Sequence, residues 1–300
     1  MADFATDPAE LELLEQTVRK TMLAASGAAL DRALAELGWL DMLTDIPDVA
    51  VPMVFRLLGE TGAHAPLLND VLHHAANASL TGTAPLPFTG GTWLVWERTD
   101  RSGATVDEEL PLHPAFPAQP GDTGAPQPAR TAASPDGSSI AHPEMRPAGD
   151  VLARPEVLAA GRRALAWWLV GSSRAMLELA RRHALERTQF GRPVASFQAV
   201  RHRLAEALVA IDGAEATLAV AEDALGALLA KAAAGRAAQI TARHCQQVLG
   251  GIGFTAEHDL HKHVRRALVL DGLLGSTREL VREAGLLIRT EGAAPRLAQL

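Results

Sequence analysis

The chain has 300 residues, 48% of them apolar, enough for one large core or two or three small ones. Its 28 Lys and Arg against 35 Asp and Glu give a net charge of −7, which argues against a general nucleic-acid binder with a basic face. A single cysteine, Cys245, excludes an internal disulfide framework and fits a reducing compartment. The opening residues carry Asp3, Glu10 and Glu12 rather than a basic segment followed by an apolar run, so no ordinary signal peptide is expected. The most apolar run, Ala164 to Val170, falls far short of the ~20 residues that cross a bilayer. The expectation is a soluble, cytoplasmic protein with no membrane and no nucleic-acid partner.

From Asp7 to Leu80 the pattern is helical. Asp7-Pro8-Ala9-Glu10 combines a capping carboxylate, a proline suited to the first helical position and a glutamate that reaches back. Leu11, Leu14, Val18 and Met22 follow at helical spacing, and Leu30 to Leu43 and Pro52 to Leu58 predict two further helices. In the middle, Thr92 to Trp96 is rich in strand formers and predicts a strand. Gly121 to Ser139 is Pro, Gly, Ala and Ser and predicts a long loop or a disordered segment. Ten of the 18 prolines fall between Pro111 and Pro155, and only Pro193 and Pro295 come later. Because proline breaks helix interiors, the C-terminal stretch is the one free to form long helices. Four are expected, at about 156–188, 197–230, 234–249 and 257–289, the last with an interruption. Phe197, Val200, Leu204, Leu208, Ile211, Leu218 and Leu225 form one apolar stripe, and short Gly-containing links join the helices. The fold class is mainly α: an N-terminal helical domain (1–82), a truncated middle domain with short strands (83–155) and a C-terminal antiparallel four-helix bundle (156–300).

Two segments of the bundle carry a family resemblance. Arg187-Thr188-Gln189-Phe190-Gly191, followed by Phe197-Gln198, is similar to the R-x-Q-F-G…F-Q signature of the acyl-CoA dehydrogenase family. Gln247-Val248-Leu249-Gly250-Gly251-Ile252-Gly253-Phe254 is similar to its Q-x-x-G-G-x-G-F turn. The resemblance covers most of 156–289 and is faint elsewhere. It implies FAD and the oxidation of the Cα–Cβ bond of an acyl-CoA thioester, with a glutamate taking the α proton and the flavin taking the β hydride. In that family the ADP half of each flavin is held by a neighbouring chain. The resemblance therefore assigns Arg187 to the pyrophosphate, as a planar guanidinium that keeps its charge. It assigns Gln189, Phe190 and Gln198 to the adenosine side and Gln247 to the adenine or ribose. Gly250 and Gly251 would permit close backbone approach. Read without the family, the same residues are a helix-end charge, core aromatics and a helix stop.

The catalytic glutamate is missing. The family keeps it in a loop reading R-D-A-x-x-x-x-x-Y-E-G-T or on the first long helix. Here the loop has Leu273-Leu274 where Tyr-Glu is expected, and the helix position falls near Gly161 in a stretch, Val157 to Leu177, with no acidic residue. Asp271, about one helical turn from the expected place, is the weak candidate for a displaced base. The family's E-P-x-x-G-S-D flavin-ring loop also has no counterpart. The chain thus resembles the degenerate, non-catalytic subunit of actinobacterial heteromeric (α2β2) enzymes that shorten steroid side chains. This implies a homologous catalytic dehydrogenase subunit, acyl-CoA bound in a shared site and an electron-transfer flavoprotein or similar acceptor. The alternatives are a homomeric flavoenzyme using Asp271 and a non-enzymatic binding or scaffold protein. His244, His258, His261 and His263 have no zinc-site spacing, so no metal is expected, and Lys262, Arg265 and Arg266 give that stretch a basic character. Trp167-Trp168 are expected as core or interface anchors.

Overall fold

In the computed structural model, residues 7–80, 82–98, 105, 110–115, 152 and 154–292 are described. The loop expected over 121–139 lies outside them. The first helix, α1 (Pro8–Ala24), starts as its sequence predicts: the Asp7 carboxylate accepts the Ala9 amide at 2.9 Å, and Val18 and Met22 are buried. The single helix expected over Leu30–Leu43 is two, α2 (Ala28–Glu36) and α3 (Trp39–Asp45), because Gly38 between them adopts φ +92°. The helix expected from Pro52 begins at Pro47. α4 (Pro47–Thr61) carries Pro52 in its interior, and α5 (Leu67–Ala75) follows.

Three short antiparallel strands come next: β1 (Pro85–Phe88), β2 (Thr92–Trp96) and β3 (Leu112–Pro114), in that order across the sheet. Pro85 pairs with Val95 and Leu94 with Pro114. Leu86, Leu94, Trp96 and Leu112 point into the core. The sheet is tied to the helices by polar groups: Asn69 donates to the Trp96 carbonyl at 3.0 Å and accepts the Ala84 amide at 3.1 Å. Arg98 bridges Asp31 and the buried Asp70, which also accepts the Trp39 indole at 3.0 Å. Burial pushes the Asp70 carboxyl up to about 6 despite the opposing pull of Arg98.

The C-terminal half is built on α6 (Pro155–Glu186), α7 (Gln198–Ala219), α8 (Ala224–Leu249), α9 (Leu260–Gly272) and α10 (Thr277–Glu291). The expected boundary between the second and third long helices is corrected. The chain turns at Val220–Asp223, where the Asp223 side chain caps α8 by accepting the Gly226 amide, so Leu225 belongs to the next helix. Contacts fix the directions. Arg163, early in α6, donates to the carbonyls of Ala221 and Glu222 beyond the end of α7. His244, late in α8, meets Arg203 and Glu206 early in α7. Lys231, early in α8, reaches the end of α9. The bundle is therefore up-down-up-down, with its fourth element broken between α9 and α10.

Helix α6 is the spine of the molecule. Trp168 stacks on Trp96 at 5.6 Å between ring centroids and meets Phe55 edge-on at 5.8 Å, while Phe55 lies 6.4 Å from Trp39. One aromatic chain thus joins sheet, bundle and N-terminal helices. Trp168 is fully buried and Trp167 half-buried. Helix α4 approaches α6 backbone to backbone: a methyl group on Gly171 would overlap the Arg56 carbonyl, and one on Gly59 would overlap the backbone of Trp168 and Ser172. Among the described residues, no helix is long and apolar enough to cross a membrane.

Candidate functional site

The helix directions place the linkers α6–α7 and α8–α9 at one end of the bundle. The first linker is a hairpin of β4 (Thr188–Gln189) and β5 (Arg192–Pro193). Its two-residue loop, Phe190-Gly191, has positive φ at both positions, +53° and +74°. That is the geometry of a tight hairpin turn, and a phenylalanine adopts it only at a cost. Phe190 is nevertheless 90% exposed, with a single edge-on contact to Phe197 at 6.0 Å. Arg192 lies over the other ring, 4.3 Å from the Phe197 centroid. Arg187, Gln189 and Gln198 are exposed, Gln198 reaching only His202 at 3.3 Å. Arg187 makes no side-chain hydrogen bond or ion pair among the described residues.

The second linker starts at Gly250, with φ +67° and ψ −142°, a conformation that glycine tolerates and other residues do not. Nothing lies within 4 Å of the place a methyl group would take on Gly250 or Gly251. Gln247 is exposed, as are Ile252 and Phe254. The two linkers share an end of the bundle. His183, near the end of α6, lies beside both: burial lowers its pKa first, and the nearby His258 and Arg187 lower it further.

The places expected for a catalytic carboxylate lie elsewhere in the molecule, and the fold brings them together. A methyl group on Gly161 would come 2.6 Å from Cδ1 of Leu274 and 2.7 Å from Cδ2 of Leu72, with Leu68 at 3.7 Å. So the helix position and the loop position face one small volume, and leucine side chains fill it. Leu273 is 0% and Leu274 1% exposed. The loop is clamped from several sides. The Leu274 amide donates to the Pro87 carbonyl at 2.8 Å, and Leu273 bridges to Phe88. Arg162 donates to the Leu274 carbonyl at 3.1 Å while pairing with Glu283. Lys231, fully buried, donates to the carbonyls of Asp271 (2.9 Å) and Gly275 (2.6 Å). Burial holds its ammonium down to about 7, against the opposing pull of Asp271.

Asp271 belongs to that clamp. Its Oδ1 accepts the Thr277 amide (3.2 Å) and hydroxyl (2.5 Å) at the start of α10, and its Oδ2 faces Gln239 Nε2 at 3.4 Å. Both oxygens are committed to ordering the loop. Sequence reasoning misses Lys231 and Arg162. The available signal for Lys231 is a lone cation inside the apolar run from Ala227 to Ala234. The histidines gather no metal site: among the described residues no cluster of three metal-ligating side chains occurs. Burial and Arg266 push His263 down to about 4, so it is neutral at physiological pH. Cys245 is buried and its thiol is pushed up to about 12, so it is inert.

Residues 153–283 match the family model described as acyl-CoA dehydrogenase, C-terminal domain. This stretch is similar to the C-terminal domain of acyl-CoA dehydrogenases. The chain is 40% identical over 116 residues to acyl-CoA dehydrogenase IpdE2 of Mycobacterium tuberculosis, covering 38% of this chain and 36% of that protein. It is 41% identical over 122 residues to acyl-CoA dehydrogenase FadE34 of the same organism, covering 37% of this chain and 17% of that protein. The chain thus spans about a third or less of the length of these curated relatives. The fold match runs further. A chain of the Tcur3481-Tcur3483 steroid ACAD G363A variant superposes with TM-score 0.67 at 20% identity, over 95% of this chain and 99% of that one. A chain of the ChsE4-ChsE5 complex from Mycobacterium tuberculosis does so with TM-score 0.64 at 20% identity, over 98% and 100%. At that identity the likeness is one of fold.

The family implies FAD, and the residues of this chain fit one half of it. An unpaired exposed guanidinium, exposed amides and an unobstructed glycine backbone suit the phosphate and nucleoside groups of the ADP half. The leucine-filled volume beside Gly161 does not suit a proton-abstracting carboxylate.

Proposed function

We propose that this chain is the non-catalytic subunit of a heteromeric, FAD-dependent acyl-CoA dehydrogenase. The single observation carrying this reading is the contrast within the molecule. Both family positions for the catalytic carboxylate meet in a volume packed with Leu68, Leu72 and Leu274. The cofactor-type residues instead stand exposed at the far end of the bundle, one of them on a strained turn. A side chain held at 90% exposure in an unfavourable backbone conformation is explained by a partner that covers it.

In this reading, Arg187 binds the pyrophosphate of a flavin whose ring lies in a homologous catalytic chain. Gln189, Phe190 and Gln198 hold the adenosine side, Gln247 the adenine or ribose, and Gly250 and Gly251 let the backbone close on the cofactor. Bound FAD supplies the hydride acceptor for α,β-dehydrogenation of an acyl-CoA thioester. The partner supplies the glutamate and most of the acyl pocket, and an electron-transfer flavoprotein or similar carrier is the expected acceptor. The fold matches to a two-component complex and to a steroid-type dehydrogenase support an α2β2 assembly and a steroid-derived acyl group. Asp271 is assigned to the loop clamp and not to proton transfer, which disfavours a homomeric enzyme with a displaced base. The test is co-expression with a catalytic homologue from the same genome. The two chains are expected to co-purify, and Arg187→Ala is expected to lower the FAD content of the complex about tenfold or more while the complex still forms. Chains that never associate would sink the reading.

A further inference from the structure

A cavity of about 700 Å³ opens where α3, α4 and α5 converge on the first half of α6 and the end of α7. Its body is apolar, built by Val51, Pro52, Val71, Trp167 and Leu218. Neither the leucines that fill the volume beside Gly161 nor the residues at the flavin-type end of the bundle line it. Its polar groups are mostly acceptors. Pro52 stands inside α4 and has no amide, so the Asp48 carbonyl lacks its usual helical donor four residues on, and both residues line the cavity. Helix α7 ends at the cavity with Leu218 and Ala219, which brings its negative, carbonyl-bearing end there. The Asp48 and Glu222 carboxylates also line it, and among the described residues neither makes a side-chain hydrogen bond or an ion pair. Glu156 is held by Arg154 at 2.8 Å. Arg163 is spent on the Ala221 and Glu222 carbonyls, at 3.5 and 3.4 Å. His74 is the remaining titratable side chain of the lining.

We propose that this cavity binds a small apolar molecule bearing an ammonium group, its hydrocarbon body against Val51, Val71 and Leu218 and its cation at Asp48 and Glu222. The size and the mostly apolar lining with few polar groups are those of a small-molecule site. The head group follows from the polar lining. Two unpaired carboxylates, a carbonyl freed by Pro52 and the negative end of α7 all favour a donor that carries positive charge. Trp167, half-buried in the wall, adds an indole whose face attracts a cation and not an anion. An anionic head would meet the two carboxylates with no free guanidinium to offset them. Pro52 also finds a reason here: a helix interior disfavours proline, and this one opens a backbone acceptor beside an apolar wall. The site shares no residue with Arg187 or Gln247, and the proposal stands whether or not the shared-flavin reading does.

The test is calorimetric titration of the full chain at neutral pH and low salt with octylamine and, separately, with octanol and octanoate, which share its hydrocarbon body. Saturable one-to-one binding of octylamine is expected, with octanol weaker and octanoate weakest. Octylamine binding should fall about tenfold or more in D48N/E222Q, where two charge-assisted acceptors are lost. It should also fall in Ala219→Trp, which crowds the rim with a bulky ring, and stay unchanged in Arg187→Ala. Octanol or octanoate binding as tightly as octylamine would overturn the ammonium assignment. Absence of saturable binding, or binding unchanged in both D48N/E222Q and Ala219→Trp, would overturn the site itself. Asp48, Ala219 and Glu222 are exposed, and an unchanged melting temperature confirms that the variants are folded.

Discussion

Leu274 is a core side chain that holds the C-terminal loop in place. It is 1% exposed, interlocks with Gly161 and Leu72, and anchors the loop to β1 through its amide. Leu274→Ala is therefore expected to cost ~2–5 kcal/mol of stability in denaturant unfolding, the range for truncating a packed core leucine. A loss below ~1 kcal/mol would show that the loop is not packed as described. Lys231 gives a pH test. Its folded-state pKa of about 7 lies below its ordinary 10.5, so between these values the unfolded chain binds more protons than the folded one. Stability then rises with pH, and the burial cost, complete below about 7, is relieved as pH climbs toward 10.5. Relative to Lys231→Met, the natural chain is expected to gain roughly 1 kcal/mol or more between about pH 7 and 9. A flat or falling difference over that window would contradict the lowered pKa of the buried lysine.

At the scale of elements, the glycines of α4, α6 and α7 make opposite predictions. Gly171→Ala puts a methyl group into the Arg56 carbonyl and must push α4 and α6 apart, at a cost of ~1–3 kcal/mol. Gly213→Ala, with nothing within 4 Å, is expected to stabilise α7 by ~0.5–1 kcal/mol through helix propensity alone. Thermal melts of the two variants should move in opposite directions. The same elements show what a sequence discloses. β2, the start of α1 and the long α6 follow from strand formers, a capping aspartate and an uninterrupted 3.6-residue pattern. The α7–α8 turn is hidden because Val220–Asp223 contains no glycine or proline, and Ala-rich helical pattern continues on both sides. Only Asp223 signals it, and a lone aspartate is weak punctuation. The residues Arg187 to Phe190 and Gln247 to Gly251 are legible as motifs because each is local. The meeting of Gly161 with Leu274, and the clamp made by Lys231 and Arg162, join residues far apart in the chain and need the fold. Helix α6 carries the division of the molecule: Gly161 at one end faces the leucine plug, and Arg187 at the other faces outward.

For the whole molecule, the proposed flavin site is completed only between unlike chains. The exposed Phe190, Ile252 and Phe254 around the cofactor-type residues form the surface a partner would cover. In the proposed reading the base comes from the partner, because leucine side chains fill the volume beside Gly161. The most direct measurement is the visible absorption spectrum, with flavin quantified, of the chain purified alone and of the chain purified with its catalytic homologue. If the flavin site is shared, the chain alone is colourless and the complex is yellow, holding about one FAD per unlike pair. A yellow chain alone, with one FAD per chain and turnover of an acyl-CoA, would contradict it.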